Sequence, residues 1–200
     1  MRKWILAAAA AAIFVAPGIA SAQSPILIKF SHVVAPNTPK GKGADKFKEL
    51  AEKYTNGKVK VEVYPNSTLY KDKEELEALQ LGAVQMLAPS NSKFGPMGIK
   101  DFEVFDLPFL LPNEAALRKV TEGPLGQAML KKLEGKGMIG LAYWDNGFKE
   151  MSANKPLRMP DDYKGLKFRI QSSKVLEAQF RALGAIPQVM AFSEVYQALQ

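Results

Sequence analysis

The residues best suited to recognising a ligand are basic, and one of them occupies a particular position. In the run 165–171, Gly-Leu-Lys-Phe-Arg-Ile-Gln, side-chain types alternate with a period of two, the signature of a half-buried β-strand. Leu166, Phe168 and Ile170 share one face, and Lys167, Arg169 and Gln171 the other. Ser172 and Ser173 follow as N-cap residues for a helix that begins near Lys174. Arg169 therefore stands at the carboxyl end of a strand, just before a strand-to-helix turn, where open α/β sheets bind ligands. Its planar fork of N–H groups suits a carboxylate. The alternative is an arginine on a solvated edge strand, or one paired with a nearby Asp or Glu.

Other polar groups follow predicted strands. Ser31 and His32 come after a strand at 26–30, and Ser90 and Asn91 after one at 84–88. Asp145 and Asn146 come after a buried strand at 138–144 that ends on Trp144. Lys149 lies just past that turn, in a position to face Arg169. Lys40 is near the start of the first helix, where backbone N–H groups favour an anion. A doubly wound sheet gathers such ends at one edge, where they can line a single cleft. Each has a plainer explanation. A lone histidine is more often structural than a ligand or a base. Ser90 and Asn91 form turns, Lys40 and Lys149 are solvated, and Trp144 packs in a core.

Catalytic chemistry finds little support. One histidine and no cysteine leave only carboxylates for a metal site. A Ser-His-Asp triad would have to use His32, and no Gly-x-Ser-x-Gly elbow is present. Glu74-Glu75 and Asp161-Asp162 fall at a helix start and in a loop, where exposed acids are ordinary. No glycine-rich phosphate loop occurs. No metal and no cofactor are expected.

These residues need a scaffold, and the chain alternates strand and helix. A strand at 26–30 is followed by a loop and a helix ending near Tyr54, with Phe47, Leu50, Ala51 and Tyr54 on one face. Asn56-Gly57 stops that helix. A strand at 59–64 and a loop at 65–71 follow. Asp72 with Glu75 three residues on has the form of a capping box, and Leu76, Leu79 and Ala83 give the next helix an apolar side. A third strand at 84–88 completes β-α-β-α-β, which predicts a parallel sheet with right-handed crossovers. Residues 102–111, with Asp106-Leu107-Pro108-Phe109, form a buried apolar connection. Helices are expected over 114–120 and 125–133, separated by Gly123-Pro124. Asp145-Asn146-Gly147 is turn chemistry and marks a lobe boundary. Residues 148–171 carry two short strand-like pieces around Pro156 and Pro160. A helix follows over 174–183 with Leu176, Phe180 and Leu183 inward, then a strand at 186–190 and a last helix capped by Ser193. No stop signal follows Leu199, and the second lobe has few strands for a core of its own, so the sequence is expected to continue past Gln200.

Residues 1–22 are a targeting segment. Arg2 and Lys3 open it, an apolar run from Trp4 to Val15 is short for a membrane span, and Ala20-Ser21-Ala22 is a cleavage signal. A single Arg followed by Lys is not a twin-arginine signal, so Sec-type export is expected. Removing Arg2 and Lys3 from 27 Lys and Arg leaves 25 against 20 Asp and Glu. The lysines of the first helix alternate with acids, as on a solvated face, which argues with export against nucleic acid. With no cysteine there is no disulfide and no lipid anchor on an N-terminal cysteine. An unanchored exported binding protein stays near its cell only behind an outer membrane, so a Gram-negative-type periplasm is expected.

The run 165–169, residues 185–187 and residues 190–200 resemble the substrate-binding subunits of tripartite ATP-independent periplasmic (TRAP) transporters. So do Tyr64-Pro65-Asn66-Ser67 and Asp106-Leu107-Pro108-Phe109. The similarity runs from about Ile28 to Gln200, and residues 30–41 and 143–154 resemble the C4-dicarboxylate-binding type. The resemblance implies a two-lobed α/β periplasmic binding protein with a hinge, here truncated at its C-terminal side: leader 1–22, lobe I over 23–146 and the start of lobe II over 147–200. It implies a monomer that closes on an organic acid and delivers it to membrane permease subunits. The family arginine that grips a ligand carboxylate falls on Arg169. A second basic position, arginine in sialic-acid-binding relatives, falls on Lys149, which tells against a sugar acid. The family chain continues through an asparagine that helps bind ligand. The expected ligand is a C4-dicarboxylate (succinate, malate or fumarate), with Arg169 on one carboxylate and Lys149 assisting. His32, Lys40, Ser90 and Asn91 are candidates for the rest of the ligand, and Trp144 for a wall. The alternatives are a 2-oxo acid, a sugar acid, or a periplasmic enzyme on the same scaffold.

Overall fold

The computed structural model describes residues 24–200. The leader at 1–22 lies outside the described residues. Strand β1 (Ile26–Ser31) leads through a loop to helix α1 (Pro39–Tyr54) and strand β2 (Val59–Tyr64). Thr38 caps α1 by accepting from the Gly41 N–H, and Pro39 occupies the first turn, where its missing N–H costs nothing. The helix ends at Asn56 and Gly57, whose φ angles of 51° and 75° turn the chain left-handed. Helix α2 (Glu75–Gln80) and the two-residue strand β3 (Met86–Leu87) complete a parallel sheet of order β2-β1-β3. Phe30 stands beside Val63 on one side and Met86 on the other, so β1 is central.

Phe30, Ala44 and Val61 are buried between this sheet and α1, with Phe47 and Ala51 packed against them. Burying a phenylalanine is worth about 1.5–3 kcal/mol, so Phe30 anchors this layer. Tyr54 was expected on the same face but is 75% exposed, because it stands in the final turn, past the last residue that packs on the sheet. Ala83 is likewise exposed, since α2 stops at Gln80.

A second layer of core forms from Leu76, Phe94, Ile99, Phe102, Met129 and Leu133. Two 3-10 stretches, Asn91–Lys93 and Lys100–Asp106, lead to α3 (Glu114–Thr121) and α4 (Pro124–Lys131), and Phe102 and Met129 of α4 share this core. Asn113 caps α3, and Pro124 opens α4. The connection expected to be buried divides at Asp106. Phe102 is inside, whereas Leu107 and Leu110 are exposed and Phe109, at φ 61°, is 98% exposed. The strand expected at 138–144 does not form. Met138 is buried, but Ile139 and Leu141 face out, and no ladder partner pairs with them among the described residues. The turn that follows is present: the Gly147 N–H donates to Asp145 Oδ1 at 2.8 Å.

The strand-like pieces expected around Pro156 and Pro160 do not form strands, and Pro160 instead opens a 3-10 turn, Pro160–Tyr163, whereas the strand read at 165–171 is present as β4 (Lys167–Ile170). Helix α5 (Lys174–Ala182), capped by Ser173, crosses to β5 (Ile186–Val189), which pairs parallel with β4. Phe168, Ile170, Leu176, Phe180 and Ala185 form a separate core, as the alternation predicts. A 3-10 turn, Phe192–Glu194, precedes the short helix α6 (Val195–Ala198). Ser193 lies inside that turn, and no side chain caps α6. No described helix is long and apolar enough to cross a membrane.

Candidate functional site

Parallel strands point their carboxyl ends the same way, so the ends of β1 and β3 meet beside the start of α1. Lys40, in the first turn of α1, donates from Nζ to the Ala88 carbonyl beyond β3 at 3.1 Å. Trp144 lies over Phe30, ring centroids 5.8 Å apart at 60°. It also rests on α1 at Gly43, where a Cβ would come within 3.2 Å of the indole. Glycine at 43 thus lets this ring settle against the helix. Lys40 and Trp144 are therefore both held at the start of α1.

His32 lies two residues past Phe30, just beyond the end of β1, and meets its ring edge-on at 6.2 Å. It is 1% exposed, and neither ring nitrogen has a hydrogen-bond partner among the described residues. Burial pushes its pKa down, Lys40 pushes it further down, and Asp45 opposes both. The imidazole is therefore neutral at pH 7, and stability must depend on pH. The unfolded chain takes up the proton near pH 6.5, before the folded one does. His32 thus contributes full stability above about pH 6.5, and that contribution is lost as pH falls towards the folded pKa. Urea unfolding at pH 7.5 and pH 5 is expected to show a drop in the wild type that is smaller in His32→Asn. An equal drop in both would mean that another group titrates.

Ser90 and Asn91 sit at the entry to the Asn91–Lys93 turn. The Ser90 hydroxyl donates to Ser92 Oγ at 3.3 Å. Ser92 donates to Asp106 Oδ1 at 2.7 Å and lies 3.2 Å from the Gln171 side-chain amide, which follows β4. Asp106, nearly fully buried, also accepts from Lys149 Nζ at 2.8 Å. The expectation that Lys149 faces Arg169 is thereby replaced: a buried carboxylate needs a counter-charge, and Asp106 takes this one.

Arg169 projects from β4 on the face opposite Phe168 and Ile170. Its Nε and Nη2 both donate to the Met190 carbonyl, at 3.0 and 2.9 Å, and its guanidinium lies 5.7 Å from the Phe192 ring centroid. Nη2 also reaches Asp72 Oδ2 at 3.5 Å. Nη1 has no partner among the described residues. Burial lowers the arginine pKa and Asp72 opposes the shift, and a guanidinium remains charged throughout.

Asp72 and Glu75 do not form a capping box. The N-cap position of α2 is Glu74, and its side chain makes no cap bond. Asp72 Oδ1 instead accepts the Phe192 N–H at 3.1 Å, and Glu75 pairs with Lys93 in the interior. Lys93 Nζ is also 3.9 Å from Asp72 Oδ2. The sequence reading missed Asp72, Glu75, Lys93 and Asp106 as buried groups and treated Glu75 as an ordinary exposed acid. A signal for Asp106 was present, because a single acid inside an apolar run is either misplaced or buried with a partner.

Four cations, Lys40, Lys93, Lys149 and Arg169, thus stand among three buried carboxylates, Asp72, Glu75 and Asp106. Lys93 is committed to Glu75 and Lys149 to Asp106. Among the described residues Lys40 forms no direct ion pair with a carboxylate, and Arg169 has only the long contact to Asp72. The uncommitted charge is positive and lies at the strand ends of both sheets, which suits a small anion. Among the described residues no group of three or more His, Cys, Asp or Glu could hold a metal ion. A concavity of about 440 Å³ bounded by Val104, Leu125, Met129 and Val175 lies elsewhere, and none of the charged groups above lines it.

Two parallel α/β sheets, with Lys40 at the strand ends of one and Arg169 at those of the other, fit the class of solute-binding proteins. Comparison with known proteins gives the family. Residues 30–200 match the model of the bacterial extracellular solute-binding proteins, family 7, and the chain belongs to that family. It is 72% identical over 191 residues to the C4-dicarboxylate-binding periplasmic protein DctP of Rhodobacter capsulatus, covering 96% of this chain and 57% of that protein. Among solved structures, it resembles a TRAP periplasmic solute-binding protein of Sulfurospirillum deleyianum with bound succinate (TM-score 0.85, 52% identity, 88% of this chain and 57% of that one). It also resembles one of Pseudomonas aeruginosa with bound L-malate (TM-score 0.84, 53% identity, 88% of this chain and 61% of that one). The chain spans about half the length of the curated relatives it matches.

Proposed function

We propose that this protein captures a C4-dicarboxylate (succinate, malate or fumarate) in the periplasm and delivers it to the membrane permease subunits of a TRAP transporter. The leader is removed after Ala22, residues 23–146 form lobe I, and residues 147–200 belong to lobe II. The protein binds its ligand and does not transform it. The observation that carries this reading is the placement of uncommitted positive charge. Among the described residues Arg169 Nη1 has no partner at the end of β4, and Lys40, which forms no direct ion pair and feels Glu75 only at longer range, stands at the end of the first sheet. One cation from each sheet suits a diacid. The 72% identity to a protein named for C4-dicarboxylate binding supports the same ligand class.

In this reading Arg169 holds one carboxylate and Lys40 the other. Trp144 and neutral His32 flank the ligand, and Ser90 and Asn91 supply a hydroxyl and an amide near the end of β3. Lys149 assists from a distance by bracing Asp106. Binding shifts a population of open and closed forms towards the closed one.

Calorimetry on the full-length protein tests this with succinate and butyrate, which share a four-carbon chain but differ in one carboxylate. Succinate is expected to bind far more tightly. Lys40→Ala should cost succinate about 1.5–3 kcal/mol, the range for a hydrogen bond to a charged group, and butyrate much less. Equal losses for both acids would show that Lys40 does not meet the second carboxylate. Ligand recovered chemically unchanged from the complex separates a binding protein from an enzyme on the same scaffold.

A further inference from the structure

Asp72 lies in the loop before α2, in the first half of the chain, yet two of its partners lie in the second. Phe192 and Arg169 are separated from it by 120 and 97 residues. Its two oxygens divide the work. Oδ1 accepts the Phe192 N–H at 3.1 Å, and Oδ2 faces Arg169 Nη2 at 3.5 Å. Phe192 in turn presents its ring to the same guanidinium, and the Met190 carbonyl takes the Nε and Nη2 donors. Asp72, Met190 and Phe192 thus make a three-sided socket around Arg169, and among the described residues the one nitrogen left without a partner is Nη1. Lys93, anchored by Glu75, stands 3.9 Å from Asp72 Oδ2 and offsets its charge.

We infer that Asp72 is a positioning residue. By bonding both the Phe192 N–H and Arg169 across the lobes, it couples closure of the cleft to presentation of the guanidinium Nη1 edge to a ligand carboxylate. The inference rests on the dicarboxylate reading above and adds to it a residue that does not itself touch the ligand. Three points favour this role over that of an ordinary surface ion pair. Asp72 is buried, both of its oxygens are engaged by the second half of the chain, and one of its partners is a backbone N–H, whose position does not depend on the Phe192 rotamer. A guanidinium with Nε and Nη2 pinned cannot rotate in its plane, so its remaining edge is aimed before the ligand arrives.

Charge repulsion alone predicts the opposite effect, because a carboxylate beside the site repels an anionic ligand. The two differ in sign. Succinate binding is measured by calorimetry for the full-length wild type, Asp72→Asn, Arg169→Lys and the double variant. The expected result is a loss of tenfold or more in Asp72→Asn, shrinking to less than about twofold when Arg169 is already lysine, since interaction energies appear as non-additivity. A merely structural role would instead cost the same factor in both backgrounds and overturns the inference. Unchanged or tighter binding by Asp72→Asn also overturns it. If wild-type protein binds no succinate at all, the dicarboxylate reading fails and takes this inference with it. If Asp72→Asn does not fold, the wild type still decides. Exchange of the Phe192 amide should slow at least tenfold on adding succinate, and an unaltered rate overturns the coupling.

Discussion

An Arg169→Ala variant is expected to lose roughly 2–5 kcal/mol of succinate binding, the range for truncating one partner of a buried charge pair. At the upper end this weakens binding by more than about a thousandfold. Much of the loss comes from the ligand carboxylate, which in the closed cleft would be left without its counter-charge. The protein itself should remain folded. Asp72 keeps the Phe192 N–H and Lys93, and the core beneath β4 is built from Phe168, Ile170 and Phe180 on the opposite face. Arg169→Lys is nearly as damaging, for a geometric reason. The guanidinium satisfies the Met190 carbonyl with Nε and Nη2 while Nη1 stays free. One ammonium cannot hold that carbonyl and still offer a separate N–H group, aimed as Nη1 is, to a carboxylate. Calorimetry on the two variants, with thermal melts as the control for folding, checks both points. Near wild-type affinity in Arg169→Ala would remove Arg169 from the site.

That arginine was legible because its neighbours obey a strict local rule. The alternation in 165–171 fixes which side chains face the core, and Phe168 and Ile170 are buried as it requires. The parallel β-α-β-α-β order, the stop at Asn56-Gly57 and the cap at Ser173 were legible for the same reason: each depends on a few adjacent residues. Failures came where the decision lies far away in the chain. Residues 138–144 have the composition of a strand, but a strand needs a partner, and composition does not show whether one is present. Asp72 and Glu75 have capping-box spacing, but Phe192 and Lys93 outcompete the helix terminus for their oxygens. Lys149 was expected to face Arg169, and its ion pair is with Asp106, 43 residues earlier. Capping is worth about 1 kcal/mol, while leaving a buried charge unpaired costs several, so the distant partner wins in each case.

The same ordering of energies sets the largest stability effect. Lys93→Met is expected to destabilise the fold by about 3–5 kcal/mol, because it strands buried Glu75 without its main counter-charge. Methionine fills a similar volume, so the loss reports charge more than a cavity. Burial already pushes the Glu75 pKa up, and Lys93 is the first group opposing that shift, with Lys40 a weaker one. Without Lys93 the carboxyl holds its proton to still higher pH. A raised folded pKa gives stability that is present at low pH and is lost as pH rises through that pKa. The deficit of Lys93→Met should therefore be larger at pH 8 than at pH 5, opposite in direction to the His32 effect. Adding Glu75→Leu should recover most of the loss, since an apolar pair replaces the buried ions at little or no cost. Asp72 is a poor rival for this recovery, because the Phe192 N–H and Arg169 still satisfy it after Lys93 is gone. Urea unfolding of the single and double variants at both pH values measures all three quantities. A single-variant loss below about 1 kcal/mol, the size of an exposed pair, would mean that water reaches Glu75 and that the cluster beneath Arg169 is not a dry one.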